Sequence, residues 1–305
     1  MYNYSGIHCP IITPFKADGK VDEEGLRNVV EFALTEQKCI GVVPCGTTGE
    51  SPVLDNEEHI EVIRITAEQV NKRFPVMAGV GSNCTNETLN LINECEELEV
   101  NEKLEIDSYL VVGPYYNKPT MEGMLEHYKT VAAATNKPIF IYNIPGRTAK
   151  NIEPRTILDI AKGNANVVGI KDAGGNIDQT MEIIAGSRKL GKKFYIFAGD
   201  DQMVFPFLAL GGDGGICAVS HVIGKELNEL FNEYKKGNIE TARDIHYSIL
   251  PMIKILFSET NPAPVKAALE IMGVINPDPL RLPLVPMTQS GREKLKTELK
   301  NLGKI

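Results

Sequence analysis

Val167-Val168-Gly169-Ile170-Lys171 is an apolar run that ends on a charge. Continuous valine and isoleucine over so short a span predicts a strand buried on both faces, as in the parallel sheets of α/β folds. Lys171 then closes that strand. A lysine held in apolar surroundings is biased toward its neutral form, an amine nucleophile able to make a Schiff base with a carbonyl compound. Taken alone, the simpler reading is a strand that stops where Lys171 reaches into water. The rest of the chain decides between the two.

Working outward, similar β-branched runs occur at Ile7–Ile12, Ile40–Pro44, Pro75–Gly79, Tyr109–Val112, Ile139–Asn143, Tyr195–Ala198 and Gly215–Val219. Amphipathic stretches lie between them, among them Asp22–Thr35, Asp55–Lys72, Asn86–Leu98, Met121–Ala134 and Ile177–Leu190. Asp55 with Glu58 fits a capping box at a helix start. Strand then helix, repeated about eight times, predicts right-handed crossovers around a parallel sheet, closing as a TIM (β/α)8 barrel. A doubly wound sheet is the alternative, but no GxGxxG follows the first strand. Beyond Gly224 the alternation stops. Lys225–Lys236, Ile239–Leu256, Ala263–Met272 and Gly291–Leu302 read as helices, with a Pro-rich break at Asn276–Pro286. We therefore read 1–224 as the catalytic barrel up to its last strand, and 225–305 as the last barrel helix plus a C-terminal helical region.

Bulk properties narrow the function. At 305 residues and 43% hydrophobic content the chain supports a large core, and a net charge of -8 argues against nucleic acid or an anionic membrane as partner. An anionic substrate would need cations placed locally. The N-terminal segment Met1–Gly6 lacks a basic-then-apolar pattern, so no signal peptide is expected, and no apolar run reaches the ~20 residues of a membrane span. Cys9, Cys39, Cys45, Cys84, Cys95 and Cys217 form no CxxC pair, so they read as small buried hydrophobes in a reducing cytoplasm. His8, His59, His127, His221 and His246 are equally scattered, and no metal site is expected. Glu94–Glu105 reads as a solvated helix end and loop.

In a barrel the active site is built from the loops at the C-terminal ends of the strands. Those ends carry Gly46-Thr47-Thr48-Gly49-Glu50, Gly113-Pro114-Tyr115-Tyr116-Asn117, Tyr142-Asn143-Ile144-Pro145-Gly146-Arg147-Thr148, Lys171, Gly199-Asp200-Asp201 and Gly215-Ile216. A lysine, several phenols, two hydroxyls and an arginine thus fall on one predicted face. Phenols hydrogen-bonded by hydroxyls can shuttle the protons that imine chemistry requires. Thr47 and Thr48, with the amides of a Gly-rich turn, can hold a small carboxylate, and Arg147 can grip a second one bidentately. Each has a plainer reading: a turn before a helix cap for GTTGE, a packing contact for Tyr115 and Tyr116, a surface ion pair for Arg147. Adjacent carboxylates on a strand exit point apart, so Asp200 and Asp201 read as helix caps rather than metal ligands.

The segments GTTGESPVL, GPYYNKPTMEG, YNIPGRT and VVGIKDAGGN, followed by AGDD and ETNPAPVK, resemble the dihydrodipicolinate synthase / N-acetylneuraminate lyase family of class I pyruvate-dependent lyases. The resemblance covers essentially the whole chain. It implies a TIM barrel with a C-terminal helical extension, assembled as a homotetramer of two tight dimers, working in the cytoplasm without a cofactor. YNIPGRT with Arg147 is most similar to the synthase branch, which condenses pyruvate with L-aspartate 4-semialdehyde to 4-hydroxy-tetrahydrodipicolinate on the route to diaminopimelate and lysine. By that resemblance Lys171 forms the imine with pyruvate and Tyr142 gives and takes protons. Thr47 and Tyr116 complete the relay, Tyr116 reaching across from a neighbouring subunit. Thr48, Ile216 and backbone at Gly199 hold pyruvate, and Arg147 binds the carboxylate of the semialdehyde.

The chain departs from the family pattern at several places. Gly113 stands where a hydroxyl residue often precedes Pro-Tyr-Tyr, His221 where asparagine is common, and Asp172 where the synthases usually carry glutamate. Because aspartate there also occurs in sugar-acid aldolases, cleavage of a 2-keto-3-deoxy sugar acid or of N-acetylneuraminate is the alternative activity. A metal-dependent barrel hydrolase and a catalytically silent binding protein are remoter ones. Glu99–Ile106 reads as a lengthened loop. Ser51, His59, Asn83, Glu87 and Tyr115 match a feedback site for lysine in inhibited synthases, with Asn56 in place of a histidine, so weak or moderate inhibition by L-lysine is expected.

Overall fold

A computed structural model describes residues 2–277 and 279–305; Met1 and Asp278, the latter inside the expected Pro-rich break, lie outside the described residues. The chain divides into two compact units, one of residues 2–5 and Met77–Ile216, the other of Gly6–Val76 and Cys217–Ile305.

The first unit is built on six strands: β2 (Met77–Gly79), β3 (Ser108–Val112), β4 (Ile139–Asn143), β5 (Val167–Asp172), β6 (Tyr195–Ala198) and β7 (Gly214–Ile216), β1 belonging to the other unit. Each pairs in parallel with the next, and spatial order follows chain order without reversal. A doubly wound sheet requires a reversal, so this winding is that of a TIM barrel. Helices Thr85–Glu102, Met121–Ala133, Pro154–Gly163, Ile177–Ser187 and Val204–Leu210 occupy the crossovers. All residues of β4 and β5 are buried, which explains their near-continuous apolar sequence.

The second unit opens with β1 (Gly6–His8), whose continuation is joined by single parallel bridges, Cys9 to Val42 and Val42 to Val76. The expected strand Ile40–Pro44 is thus reduced to one bridging residue. Helix Glu23–Thr35 follows with Asp22 at its N-cap, and helix Asn56–Val70 starts on the expected capping box, Asp55 with Glu58. The C-terminal part is helical: Ser220–Lys236, Ile239–Leu256, Ala263–Ile271 and Gln289–Asn301.

Pattern also misjudged where the last strand ends and where the helix before β3 stops. The apolar run Gly215–Val219 leaves the strand at Ile216 and turns through Cys217–Val219 into the helix at Ser220, where the Ser220 hydroxyl donates to the Cys217 carbonyl at 2.6 Å. Short apolar runs do not distinguish a strand from the start of a buried helix. The first half of the Glu99–Ile106 expansion is helix rather than loop: the helix runs to Glu102 and ends on Lys103 in the left-handed region (φ 58°). Glu99 then anchors the descent, accepting from the Ile106 amide and the Lys137 ammonium, each at 2.7 Å.

Candidate active site

Parallel register sets Lys171 of β5 directly beside Tyr142 of β4. Alternation along the strands puts both side chains on one face, with Ile170, Asp172 and Asn143 on the other. Lys171 is 5% exposed and Tyr142 4%, and the ammonium nitrogen lies 4.3 Å from the centroid of the phenol ring. Among the described residues no carboxylate pairs with Lys171. Gly199, just after β6, is where the lysine stem passes: a Cβ there would lie 3.0 Å from Lys171 Cγ and 3.0 Å from Ala173 Cβ. The glycine is therefore needed for a close approach, and its amide donates to the Asp172 carbonyl at 2.8 Å.

The opposite face holds that register in place. Asp172 is 1% exposed and accepts from the Thr180 hydroxyl at 2.7 Å, the Gly174 amide at 3.0 Å and Asn143 Nδ2 at 3.4 Å. Asn143 also donates to Asn151 at 2.9 Å and accepts from the Ile152 amide at 3.1 Å. Burial pushes the Asp172 carboxyl above its usual range, partly offset by Thr180 and its other donors. Asp172 thus ties β5 to β4 and to the start of helix Ile177–Ser187, facing away from Lys171. Its side chain serves the packing of β5 against β4 and this helix.

The remaining site residues of this unit sit at strand ends as expected. Arg147 is exposed in the single turn Pro145–Thr148 that follows β4, and Ile216 is the buried last residue of β7. Tyr115 is half-buried, while Tyr116 is 89% exposed with φ 69°. Gly113 has apolar neighbours: a Cβ there would meet Ile152 Cδ1 at 3.1 Å and Met124 Cε at 3.6 Å. Of the expected regulatory residues, Glu87 accepts from the Ser82 hydroxyl, and Asn83 accepts through its carbonyl from Asn117 at 2.8 Å, beside Tyr115. Asp200 occupies the N-cap position of the short turn Asp201–Met203, but no side chain caps it, so the capping role expected of this pair is not filled. Asp201 is itself buried.

In the second unit GTTGE forms a turn in which Cys45 and Glu50 adopt left-handed backbone, both at φ 56°. A short 3-10 turn, Ser51–Val53, separates it from the Asp55 cap, so the segment is more than a lead-in to that helix. Thr48 and Glu50 are buried, and Thr47 is half-buried. Thr48 Oγ1 accepts from Asn261 Nδ2 at 3.0 Å, the Gly49 carbonyl accepts from Thr13 at 2.7 Å, and Glu50 pairs with Lys266 at 2.5 Å. Burial raises the Glu50 carboxyl against the opposing pull of Lys266. The Phe15 ring lies between two cations, Lys266 at 4.4 Å and Arg281 at 4.2 Å, and Arg281 is fixed by Glu58 and the Gly19 carbonyl. Asn261, Lys266 and Arg281 were not foreseen from sequence, although ETNPAPVK, which supplies the first two, had been noticed as a motif. Of the expected regulatory residues here, Ser51 opens the 3-10 turn and His59 is 7% exposed.

His221 is accounted for within the same unit. Its Nε2 accepts from the Ile12 amide at 3.2 Å, so the ring proton belongs on Nδ1, which lies 2.8 Å from the Ala218 carbonyl. Burial lowers this histidine to about 4. An asparagine offers the same pair of roles, one acceptor and one donor. Five of the six cysteines are buried, but Cys84 is exposed at a helix N-cap, which corrects the expectation of six buried hydrophobes. Among the described residues no cluster of three His, Cys, Asp or Glu side chains could hold a metal, and no helix is long and apolar enough to cross a membrane.

Fold and site together define a TIM-barrel chain with a buried, unpaired lysine at a strand end, set against a phenol. The model of the Dihydrodipicolinate synthetase family matches residues 3–302, and the chain belongs to that family. It is 45% identical over 302 residues to the 4-hydroxy-tetrahydrodipicolinate synthase of Thermodesulfovibrio yellowstonii, covering 99% of each chain. The dihydrodipicolinate synthase of Thermotoga maritima superposes with a TM-score of 0.94 at 41% identity, over 100% of both chains. A solved monomeric dihydrodipicolinate synthase variant gives a TM-score of 0.94 at 41% identity, over 99% of this chain and 98% of that one.

Proposed function

We propose that this chain is a class I lyase that condenses pyruvate with L-aspartate 4-semialdehyde to give 4-hydroxy-tetrahydrodipicolinate and water. The observation that carries the mechanism is the Lys171 amine, buried without a carboxylate partner and 4.3 Å from the Tyr142 ring. Its nitrogen adds to C2 of pyruvate, and the carbinolamine loses water to form the imine. Loss of a C3 proton gives the enamine, whose C3 attacks the aldehyde carbon of the second substrate. The amino group of that substrate then displaces Lys171 at C2, closing the ring and freeing the enzyme. Each step moves a proton, and the Tyr142 phenol carries it, with Thr47 and Tyr116 as relay partners.

Thr48 and Ile216 hold pyruvate together with backbone at Gly199, and Arg147 takes the carboxylate of the semialdehyde. The imine is itself the electron sink, so the reaction uses no cofactor and no metal. The exposed Tyr116 ring supports a relay completed by a neighbouring subunit, and we propose a homotetramer of two tight dimers. The absence of a CxxC pair in the sequence supports a reducing, cytoplasmic setting. Ser51, His59, Asn83, Glu87 and Tyr115 are proposed as a weak to moderate feedback site for L-lysine, read by initial rates at millimolar lysine.

Incubation with pyruvate and borohydride tests the mechanism. A stable adduct, located on Lys171 by mass spectrometry, is expected; its absence would overturn the proposal. In steady-state condensation, Arg147→Ala is expected to raise KM for aspartate semialdehyde much more than KM for pyruvate. Equal losses for both substrates would remove Arg147 from its role.

A further inference from the structure

Thr48 is 3% exposed, and its hydroxyl makes a single side-chain bond, accepting from Asn261 Nδ2 at 3.0 Å; Asn261 is 7% exposed. A hydroxyl has one proton to give and lone pairs to receive, whereas an amide NH2 only donates. The contact therefore makes Thr48 Oγ1 the acceptor and turns the Thr48 proton away from Asn261. Among the described residues no acceptor takes that proton. A buried donor left without an acceptor is costly, so a bound anion that accepts from it gains in proportion.

The surrounding turn is held at successive residues. Asn261 holds Thr48, Thr13 holds the Gly49 carbonyl, and Lys266 holds Glu50, so the turn cannot shift to let Thr48 find another partner. A Cβ on Gly49 would come within 3.0 Å of the Ile11 carbonyl, which keeps this residue a glycine and the turn close to the strand. We infer that Asn261 is a positioning residue for keto-acid binding: its amide aims the Thr48 hydroxyl proton at the substrate carboxylate. The inference rests on the role proposed for Thr48 in holding pyruvate, and adds a residue that never touches the substrate.

Borohydride trapping titrated with pyruvate gives a half-saturating concentration for the wild-type chain, Asn261→Asp, Thr48→Val and the double variant. Asn261→Asp keeps the shape but replaces the donor with an acceptor, which draws the Thr48 proton to itself. Half-saturation is expected to rise about tenfold or more in each single variant. The double variant is expected to be no worse than the poorer single, because both changes remove the same donor. Multiplied losses in the double variant, or Asn261→Asp within twofold of wild type, would overturn the inference. If melting by circular dichroism shows Asn261→Asp to be unfolded, Asn261→Ala in the same cycle carries the same expectation. Failure of the wild-type chain to form any adduct removes the proposed function itself, which keeps the two failures apart.

Discussion

Among the described residues two lysines are buried, and they are treated in opposite ways. Lys266, 2% exposed, pairs with Glu50 at 2.5 Å and rests over the Phe15 ring. Lys171, 5% exposed, has no carboxylate partner among the described residues, and its nitrogen lies 4.3 Å from the Tyr142 ring centroid. Burying a charge is costly unless it is paired, and the two sites meet that cost differently. At Lys266 the cost is offset by an ion pair that locks a turn. At Lys171 no carboxylate among the described residues offsets it, and the side-chain nitrogen lies instead by the Tyr142 ring. Burial alone therefore does not mark a catalytic lysine; the missing partner does.

The comparison is broken most sharply by removing each lysine in turn. Lys171→Met deletes the nucleophile but no ion pair. Condensation is expected to fall about a thousandfold or more, about 4 kcal/mol of barrier, while Tm stays level or rises. A Tm that falls by several degrees would mean that Lys171 has a structural partner after all. Lys266→Met has the opposite signature. It strands the buried Glu50 carboxylate, at a cost of about 3–5 kcal/mol, expected as a Tm lower by about 10 °C. Adding Glu50→Gln should restore most of that loss, since the stranded charge is gone. A double variant as unstable as Lys266→Met would show that packing over Phe15, not the ion pair, is what Lys266 supplies.

The same contrast shows what could be read from the chain beforehand. Lys171 was legible because a charge at the end of a two-sided apolar strand is locally anomalous. The strand–helix alternation, the capping box at Asp55 and the strand-end positions of Tyr142 and Arg147 were legible for the same reason: their signals lie within a few residues. Lys266 with Glu50 and Asn261 with Thr48 were not, because each pair joins distant parts of the chain and neither half is unusual in its own neighbourhood. Asp172 was noted only as a departure from the family pattern. Strand alternation alone, applied one residue beyond Lys171, places it on the far face with Asn143. The Glu99–Ile106 stretch was read as a lengthened loop from its expansion relative to the family pattern, yet its first half, to Glu102, continues the helix and only Lys103–Ile106 is loop.

His221 sharpens the comparison with the smallest expected effect. It is buried like the lysines, but satisfied while neutral: Nε2 accepts from Ile12 and Nδ1 donates to Ala218. Protonation would set an N–H against the Ile12 N–H, so burial and geometry both favour the neutral ring, lowered to about 4 from 6.5. In the unfolded chain the same ring titrates near 6.5. Between those values the unfolded state binds more protons, so stability is full above about 6.5 and is lost as pH falls toward about 4, by up to about 1.4 kcal/mol per pH unit. His127, also lowered to about 4 by burial, acts in the same direction. Glu50 and Asp172, raised by burial, act in the opposite one. A total pH profile therefore mixes signs, and only a difference between variants isolates His221. His221→Asn retains an acceptor for Ile12 and a donor for Ala218 but cannot take a proton. Its Tm is expected to lie within a few degrees of wild type at pH 7.5 and to fall less than wild type's on going to pH 5. Parallel profiles for the two proteins would show that the ring stays neutral at no cost, or that it is not the group being titrated.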